Sequence, residues 1–367
     1  MWHEFDATHA AAELRAMSNF GVRVVRTMLP WDVFMPDRHA VPPARLRDVE
    51  TFLRIAAEQS LAVVPVLFVQ SLGDCVMLPA YAIDVRAPRP GVRVLTDAVV
   101  QPGGPRDMYT DTLMLDTALT WLDAMLAAFA GHPAVACWDL GHDPATAMRP
   151  RRIDDLRRWT ALLSARVHER GERCTLTLST SDILVARGVR PHALAPELDA
   201  VGMVLEPARL RSASATDANA AVFLLQLTNT VMESAHHVVA TIEGDGEDDA
   251  VAVAAYARNA TAGLIESGAA EVHAAAWANS GPRVADIPPL DRESRLGRRG
   301  LVSVTGEPTV FGTAWREQMS REHERRARTT IAARMNIADY YANLPESVDE
   351  LYAAWEGGLG GNPAMLD

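Results

Sequence analysis

Seven short runs of apolar, largely β-branched residues recur along the chain: "VRVVRTML" (22–29), "LAVVPVLF" (61–68), "AVACWDLG" (134–141), "RCTLTLS" (173–179), "LDAVGMVLE" (198–206), "HVVATIE" (237–243) and "VHAAAWA" (272–278). Segments with apolar residues at helical spacing lie between them, among them 44–59, 115–132 and 153–171. Alternation of this kind predicts repeated βα units around a parallel sheet. The runs are continuously apolar, as in strands covered on both faces, which points to a (β/α) barrel over an open sheet. An eighth strand is missing from the pattern.

Two stretches break the alternation, 70–112, rich in Pro and Gly, and 279–312, which carries "PRVADIPPLDRESRLGRRG". Both follow strands, and loops this long in a compact domain are commonly functional. From residue 314 the pattern changes to the densely charged "WREQMSREHERRARTTIAARMNIADYYANL", which predicts a largely solvated helix with a narrow apolar stripe. The sequence therefore divides into a barrel, 1–313, and a C-terminal helical extension with a flexible Gly-rich tail, 314–367.

Composition narrows the partners. A chain of 367 residues that is 49% hydrophobic can bury a large core. Its formal net charge of −12 argues against a nucleic-acid partner, which requires a basic face. Cys75, Cys137 and Cys174 are odd in number and far apart, which suggests buried free thiols instead of a disulfide framework or a zinc motif. No stretch offers about 18 uncharged apolar residues, so no membrane partner is expected. As written, "MWHEFDATHAAAELRAM" is no signal peptide, and the expected location is cytoplasmic; a start upstream of Met1 would leave room for secretion. Oligomeric state is not legible.

Five segments, "MWHEFD", "VVRTMLPWDVFMP", "RDMYTDTLML", "HPAVACWDLGHDP" and "IPPLDRESRLGRRGLV", together resemble the retaining glycoside hydrolases of clan A, near family 5, the cellulase and β-mannanase group. The likeness runs from Trp2 to about Tyr352. It implies a (β/α)8 barrel that cleaves β-linked glycans with two carboxylates and no cofactor or metal, and so a carbohydrate partner. The family's first strand, which precedes the "MW…FD" segment, has no counterpart, and this accounts for the missing eighth strand.

The resemblance also assigns roles. Its acid/base Glu falls on Asp143 and the Asn before it on His142; its nucleophile falls on Glu243, at the end of "HVVATIE". Arg26 matches an arginine that supports the nucleophile, and an Arg leaving an apolar strand needs an anionic partner in any case. Trp277 matches the aromatic platform for the sugar, Trp31 lies in a matched segment as a further substrate-binding candidate, and Glu206 is a substitute carboxyl where the family shows His-x-Tyr.

Each role has a plainer rival in the residues alone. Asp143, ahead of Pro144, reads equally as a helix cap, Trp277 as core, and Glu206 as loop. Asp245, Glu247, Asp248 and Asp249 crowd Glu243 with like charge, which raises the pKa of a carboxylate they face. Ser71 and Ser181 lack the Gly-x-Ser-x-Gly elbow of a serine hydrolase. Two functions of different class follow: a divergent retaining β-glycoside hydrolase with weak or lost activity, and an inactive homologue that binds a glycan or a protein.

Overall fold

The computed structural model describes residues 2–186, 189–233, 237–244, 249–323, 328–331 and 335–359. The chain divides into two compact units. One comprises Met1–Thr177, Glu197–Asp199 and Ile287–Pro289; the other comprises Leu178–Pro196, Ala200–Asp286 and Leu290–Asp367.

The first unit begins with helix Ala7–Phe20, which the Asp6 carboxylate caps by accepting the amides of Thr8 and His9 and which Gly21 ends at φ 104°. Strand Val24–Met28 then pairs in parallel with Ala62–Leu72. Strand Ala62–Leu72 pairs in parallel with Trp138–His142, and that strand pairs in parallel with the start of Cys174–Ser179. Helices Pro43–Glu58, Thr112–Phe129 and Ile153–His168 connect them. All three were legible in the 3.6-residue periodicity, to within a few residues.

Between the strand and helix layers of this unit lies an aromatic core. Trp121 meets Trp31 at 5.6 Å and Phe68 at 5.3 Å between ring centroids, and Phe68 meets Trp159 at 5.7 Å. Edge-on pairs such as Phe68–Trp121 add about 0.5–1.5 kcal/mol each beyond the area they bury. Helix Thr112–Phe129 is apolar and long enough to cross a bilayer, but Asp116 and Asp123 interrupt it, and Met114, Trp121, Leu122 and Met125 are fully buried in the protein. It is a core helix.

The second unit continues the alternation. Ala200–Leu205 pairs in parallel with His237–Ile242, and that strand with Glu271–Ala274. Helices Ala218–Met232 and Ala250–Glu266 follow their strands, capped by Asp217 and Asp249. One parallel pairing was not read from the sequence: Gly300–Val302 lies beside Ala276–Ala278. Among the described residues no strand precedes Val24, where helix Ala7–Phe20 stands.

Two expectations need correction. The stretch 70–112 is not irregular: it holds short strands at Cys75–Met77, Ile83–Asp84, Arg93–Thr96, Val99–Gln101 and Gly104–Pro105. Strands of two to four residues give too few alternations for a period of two to register. The C-terminal segment is not one solvated helix either. Its helices are Val310–Met319, Ile337–Ala342 and Glu346–Ala354, and Trp315, Tyr340, Tyr341, Tyr352 and Trp355 are buried. Trp355 donates to Gln226 Oε1 at 3.0 Å, and Tyr340 donates to the Ile183 carbonyl at 2.7 Å. The apolar stripe was read as narrow because arginines dominate the count, whereas the aromatics carry the buried area.

Helix Val310–Met319 comes unusually close to strand Gly300–Val302. A Cβ built on Gly312 would lie 1.9 Å from the Leu301 carbonyl oxygen. Ala in place of a helical Gly ordinarily stabilises by about 0.5–1 kcal/mol, whereas overpacking costs about 1–3 kcal/mol. The clash is with backbone, which cannot rotate away, so the second effect wins. Gly312→Ala is expected to lower the melting temperature by several degrees in a thermal unfolding scan; an unchanged or raised value would contradict the close approach.

Candidate active site

In the first unit the polar residues gather where strand Trp138–His142 leaves the core. Asp139 is fully buried, and an ionised carboxylate without water needs a full charge and several donors around it. It has them. Arg26 Nε donates to Oδ2 at 2.8 Å while Nη2 lies 2.7 Å from the same oxygen as an ion-pair contact, Thr177 Oγ1 donates to that oxygen at 2.7 Å, and the Gly141 amide donates to Oδ1 at 3.1 Å. Arg26 Nη1 lies 3.2 Å from His142 Nδ1, which ties the next residue of the motif to the same guanidinium.

Asp143 follows in the left-handed region, at φ 49° and ψ 57°. Non-glycine residues there are uncommon and concentrate at functional sites. Both of its peptide groups are held: its amide donates to the Thr177 carbonyl at 2.9 Å, and its carbonyl accepts from Ser71 Oγ at 3.0 Å. Ser71 reaches this position because strand Ala62–Leu72 changes register between Val66 and Val69, where Phe68 takes φ 53°. Such bulges re-aim side chains beside active sites. The helix after Asp143 is only Pro144–Ala147, and the Asp143 side chain makes no capping hydrogen bond to it. The capping explanation therefore loses its support.

The second unit carries the other carboxylate. Glu243 stands directly after strand His237–Ile242 and pairs with Arg299 Nη1. Around them is a cavity of about 210 Å³ lined by Glu206, Arg209, Tyr256 and Arg295 among others. Glu206 follows strand Ala200–Leu205 and is joined to Arg209 at 3.3 Å, so two strand ends deliver two carboxylates to one cavity, each with an arginine beside it. Met203 and Leu205 are buried and apolar.

Several assignments change in consequence. The carboxylate that Arg26 holds is Asp139, where the resemblance implied Glu243; a fully buried anion needs the guanidinium beside it. Arg299 is the cation on Glu243, and sequence reasoning missed it although "RESRLGRRG" was in view, because nothing in a run of four arginines says which one turns inward. Trp31 is core: it is 1% exposed and its indole N–H donates to Tyr81 Oη at 3.0 Å, so it offers no face to a sugar. Trp277 is half-buried in strand Ala276–Ala278. Asp249 accepts the amides of Val251 and Ala252 as a helix cap. Asp245, Glu247 and Asp248 lie outside the described residues.

No protein-family model and no curated protein matches the sequence. Solved structures do match in three dimensions. A GH5_18 protein from Streptomyces cattleya, in complex with Manβ1-4GlcNAc, superposes with a TM-score of 0.79 at 16% identity, over 96% of this chain and 86% of that one. A GH5_18 protein from Bifidobacterium longum subsp. infantis gives 0.74 at 17% identity, over 89% and 76%. An exo-β-1,4-mannosidase from Opitutaceae bacterium strain TAV5 gives 0.69 at 16%, over 87% of this chain and 57% of that one. The alternating strands and helices, with polar residues collected at the strand ends, therefore build the (β/α) barrel of a clan A, family 5 type glycoside hydrolase fold.

Proposed function

We propose that this protein is a divergent retaining glycoside hydrolase of β-linked glycosides, with Glu243 as nucleophile and Asp143 as acid/base. The observation that carries the reading is Glu243 itself: a carboxylate at the end of a barrel strand, in a cavity, paired with the Arg299 guanidinium. In such a reaction the Glu243 carboxylate attacks the anomeric carbon while the Asp143 carboxyl protonates the departing oxygen; water then attacks the glycosyl-enzyme, giving its proton back to Asp143. The mechanism asks for carboxyl groups about 5–5.5 Å apart. Asp is one methylene shorter than Glu, so its carboxyl sits back by roughly 1.5 Å. Arg26, His142 and Asp139 fix the strand end that carries it. The β-mannoside ligand of the Streptomyces cattleya neighbour makes β-mannosides the first substrates to try.

The Glu243–Arg299 pair also supports a second reading, a protein that binds a glycan without cleaving it. A guanidinium in contact with a carboxylate spreads its charge and blunts its attack on carbon. The two readings separate in one experiment. The full chain is incubated with 4-nitrophenyl β-mannoside, 4-nitrophenyl β-glucoside and Manβ1-4GlcNAc, and its melting temperature is followed with and without the disaccharide. Nitrophenol release that Glu243→Gln removes supports the hydrolase. No release, together with a concentration-dependent rise in melting temperature, supports the binder. Absence of both rejects a carbohydrate function.

A further inference from the structure

At the other end of strand Cys174–Ser179 from Asp143, a second set of chemically active side chains comes together. Cys174 opens the strand, His168 ends helix Ile153–His168, and Asp199 lies near both in the same unit. His168 Nε2 is 2.9 Å from Asp199 Oδ2 and 3.7 Å from Cys174 Sγ, and the three ligand atoms all lie within 4.8 Å of one another. The proposed active-site residues have no share in this group: Asp143 bonds to Thr177, three residues along the strand, or about 10 Å away at the usual rise.

The arrangement is not that of a nucleophilic triad. In a Cys-His-Asp triad one imidazole nitrogen faces the sulfur and the other faces the carboxylate, whereas here the same nitrogen, Nε2, faces both. Three ligand atoms of different residues within 4.8 Å of one another are close enough to share one metal ion. We infer that His168, Cys174 and Asp199 bind one borderline divalent transition-metal ion of the zinc and cobalt class.

Distances decide between a metal site and a mere contact. With zinc–sulfur near 2.3 Å and zinc–nitrogen near 2.05 Å, a tetrahedral angle sets S···N at about 3.6 Å. The observed separation is 3.7 Å. The same reasoning puts N···O at about 3.4 Å, so the imidazole and carboxylate, 2.9 Å apart, need to open by roughly half an ångström. Both side chains are more than a third exposed and have room to do so, while the buried thiol supplies the fixed point.

The donor set, one sulfur, one nitrogen and one oxygen, suits zinc over magnesium or calcium. The cation would sit at the C-terminal end of a 16-residue helix, where the macrodipole favours positive charge. On binding, the Cys174 S–H bond breaks and its proton leaves to water. Thiolate and carboxylate then neutralise the divalent ion, the imidazole binds uncharged, and a fourth position is left to water. Sequence reasoning passed over the set because its spacing, five residues and then twenty-four between ligands, fits none of the paired Cys/His zinc motifs.

The test uses the full chain freed of metal with EDTA and titrated with cobalt(II) chloride and then zinc chloride. Expected are one equivalent bound, a thiolate-to-cobalt charge-transfer band in the near ultraviolet that zinc abolishes, and a raised melting temperature. Cys174→Ser is expected to remove the band, and His168→Gln to weaken binding by more than about 100-fold, since even outer partners of ligands are worth about 10–100-fold. Cys137→Ser, which alters the neighbouring thiol outside the group, should leave all three signals intact and controls for folding. Binding without the charge-transfer band, a band that survives Cys174→Ser, or no saturable binding would each overturn the inference and leave a hydrogen-bonded cluster.

Discussion

Asp143→Glu combined with His142→Asn is expected to raise turnover of Manβ1-4GlcNAc by roughly 10- to 100-fold, and turnover of 4-nitrophenyl β-mannoside far less. The difference lies in the leaving group. A sugar alkoxide is a poor one and needs nearly full proton donation as the bond breaks, whereas nitrophenolate leaves almost unaided. General acid catalysis is worth about 100- to 10,000-fold when the donor is well placed, and displacement by about 1 Å can forfeit on the order of 100-fold. A carboxyl set back by one methylene sits in that regime. The change is local, because the Asp143 backbone is pinned by Thr177 and Ser71 and its side chain caps no helix. His142→Asn replaces the ring nitrogen 3.2 Å from Arg26 with a carbonyl oxygen that can accept the same N–H. Adding Glu243→Gln to the double variant should return both substrates to background. Equal gains on the two substrates would show that proton donation was not the limiting step. No gain on either would remove Asp143 from the mechanism.

The sequence revealed the strands far better than the site, and the reason is physical. Strands covered on both faces advertise themselves as apolar runs, so all seven runs, from 22–29 to 272–278, correspond to strands. Gly300–Val302 did not show because three residues beside a chain of arginines form no run. Among the candidate residues, position along a strand was legible: His142, Asp143, Glu206 and Glu243 all stand at or just after strand ends. Pairings across the fold were not. Nothing in the order of residues says that Arg26 chooses Asp139, 113 positions away, or that Arg299 and not Arg298 turns to Glu243. Trp31 failed for a related reason, since an aromatic reads alike whether it faces a sugar or, as here, Trp121 and Phe68.

Asp139→Ala is expected to destabilise the protein by about 3–5 kcal/mol, the range for breaking a buried ion pair from one side. That is a large fraction of the roughly 5–15 kcal/mol that holds an ordinary domain together. The cost arises from what remains. The Arg26 side chain is 18% exposed, so its guanidinium loses a charge-assisted hydrogen bond and its ion pair with little water to replace them, and Thr177 Oγ1 and the Gly141 amide lose their acceptor as well. Asp139→Asn keeps the shape and one acceptor oxygen but turns two donors toward donors, so it should fall between wild type and Ala. Replacing both partners by apolar residues of similar size, Arg26→Met with Asp139→Leu, removes the stranded charge and should recover most of the loss. Urea unfolding of the three variants reads these differences directly. If Asp139→Ala costs under about 1 kcal/mol, or if the double variant is as unstable as the single, Arg26 and Asp139 are not an interdependent pair and the strand end beneath Asp143 is held in some other way. If the recovery is found while activity stays lost, the pair serves to orient His142 and Asp143, because stability and positioning then part company at one residue.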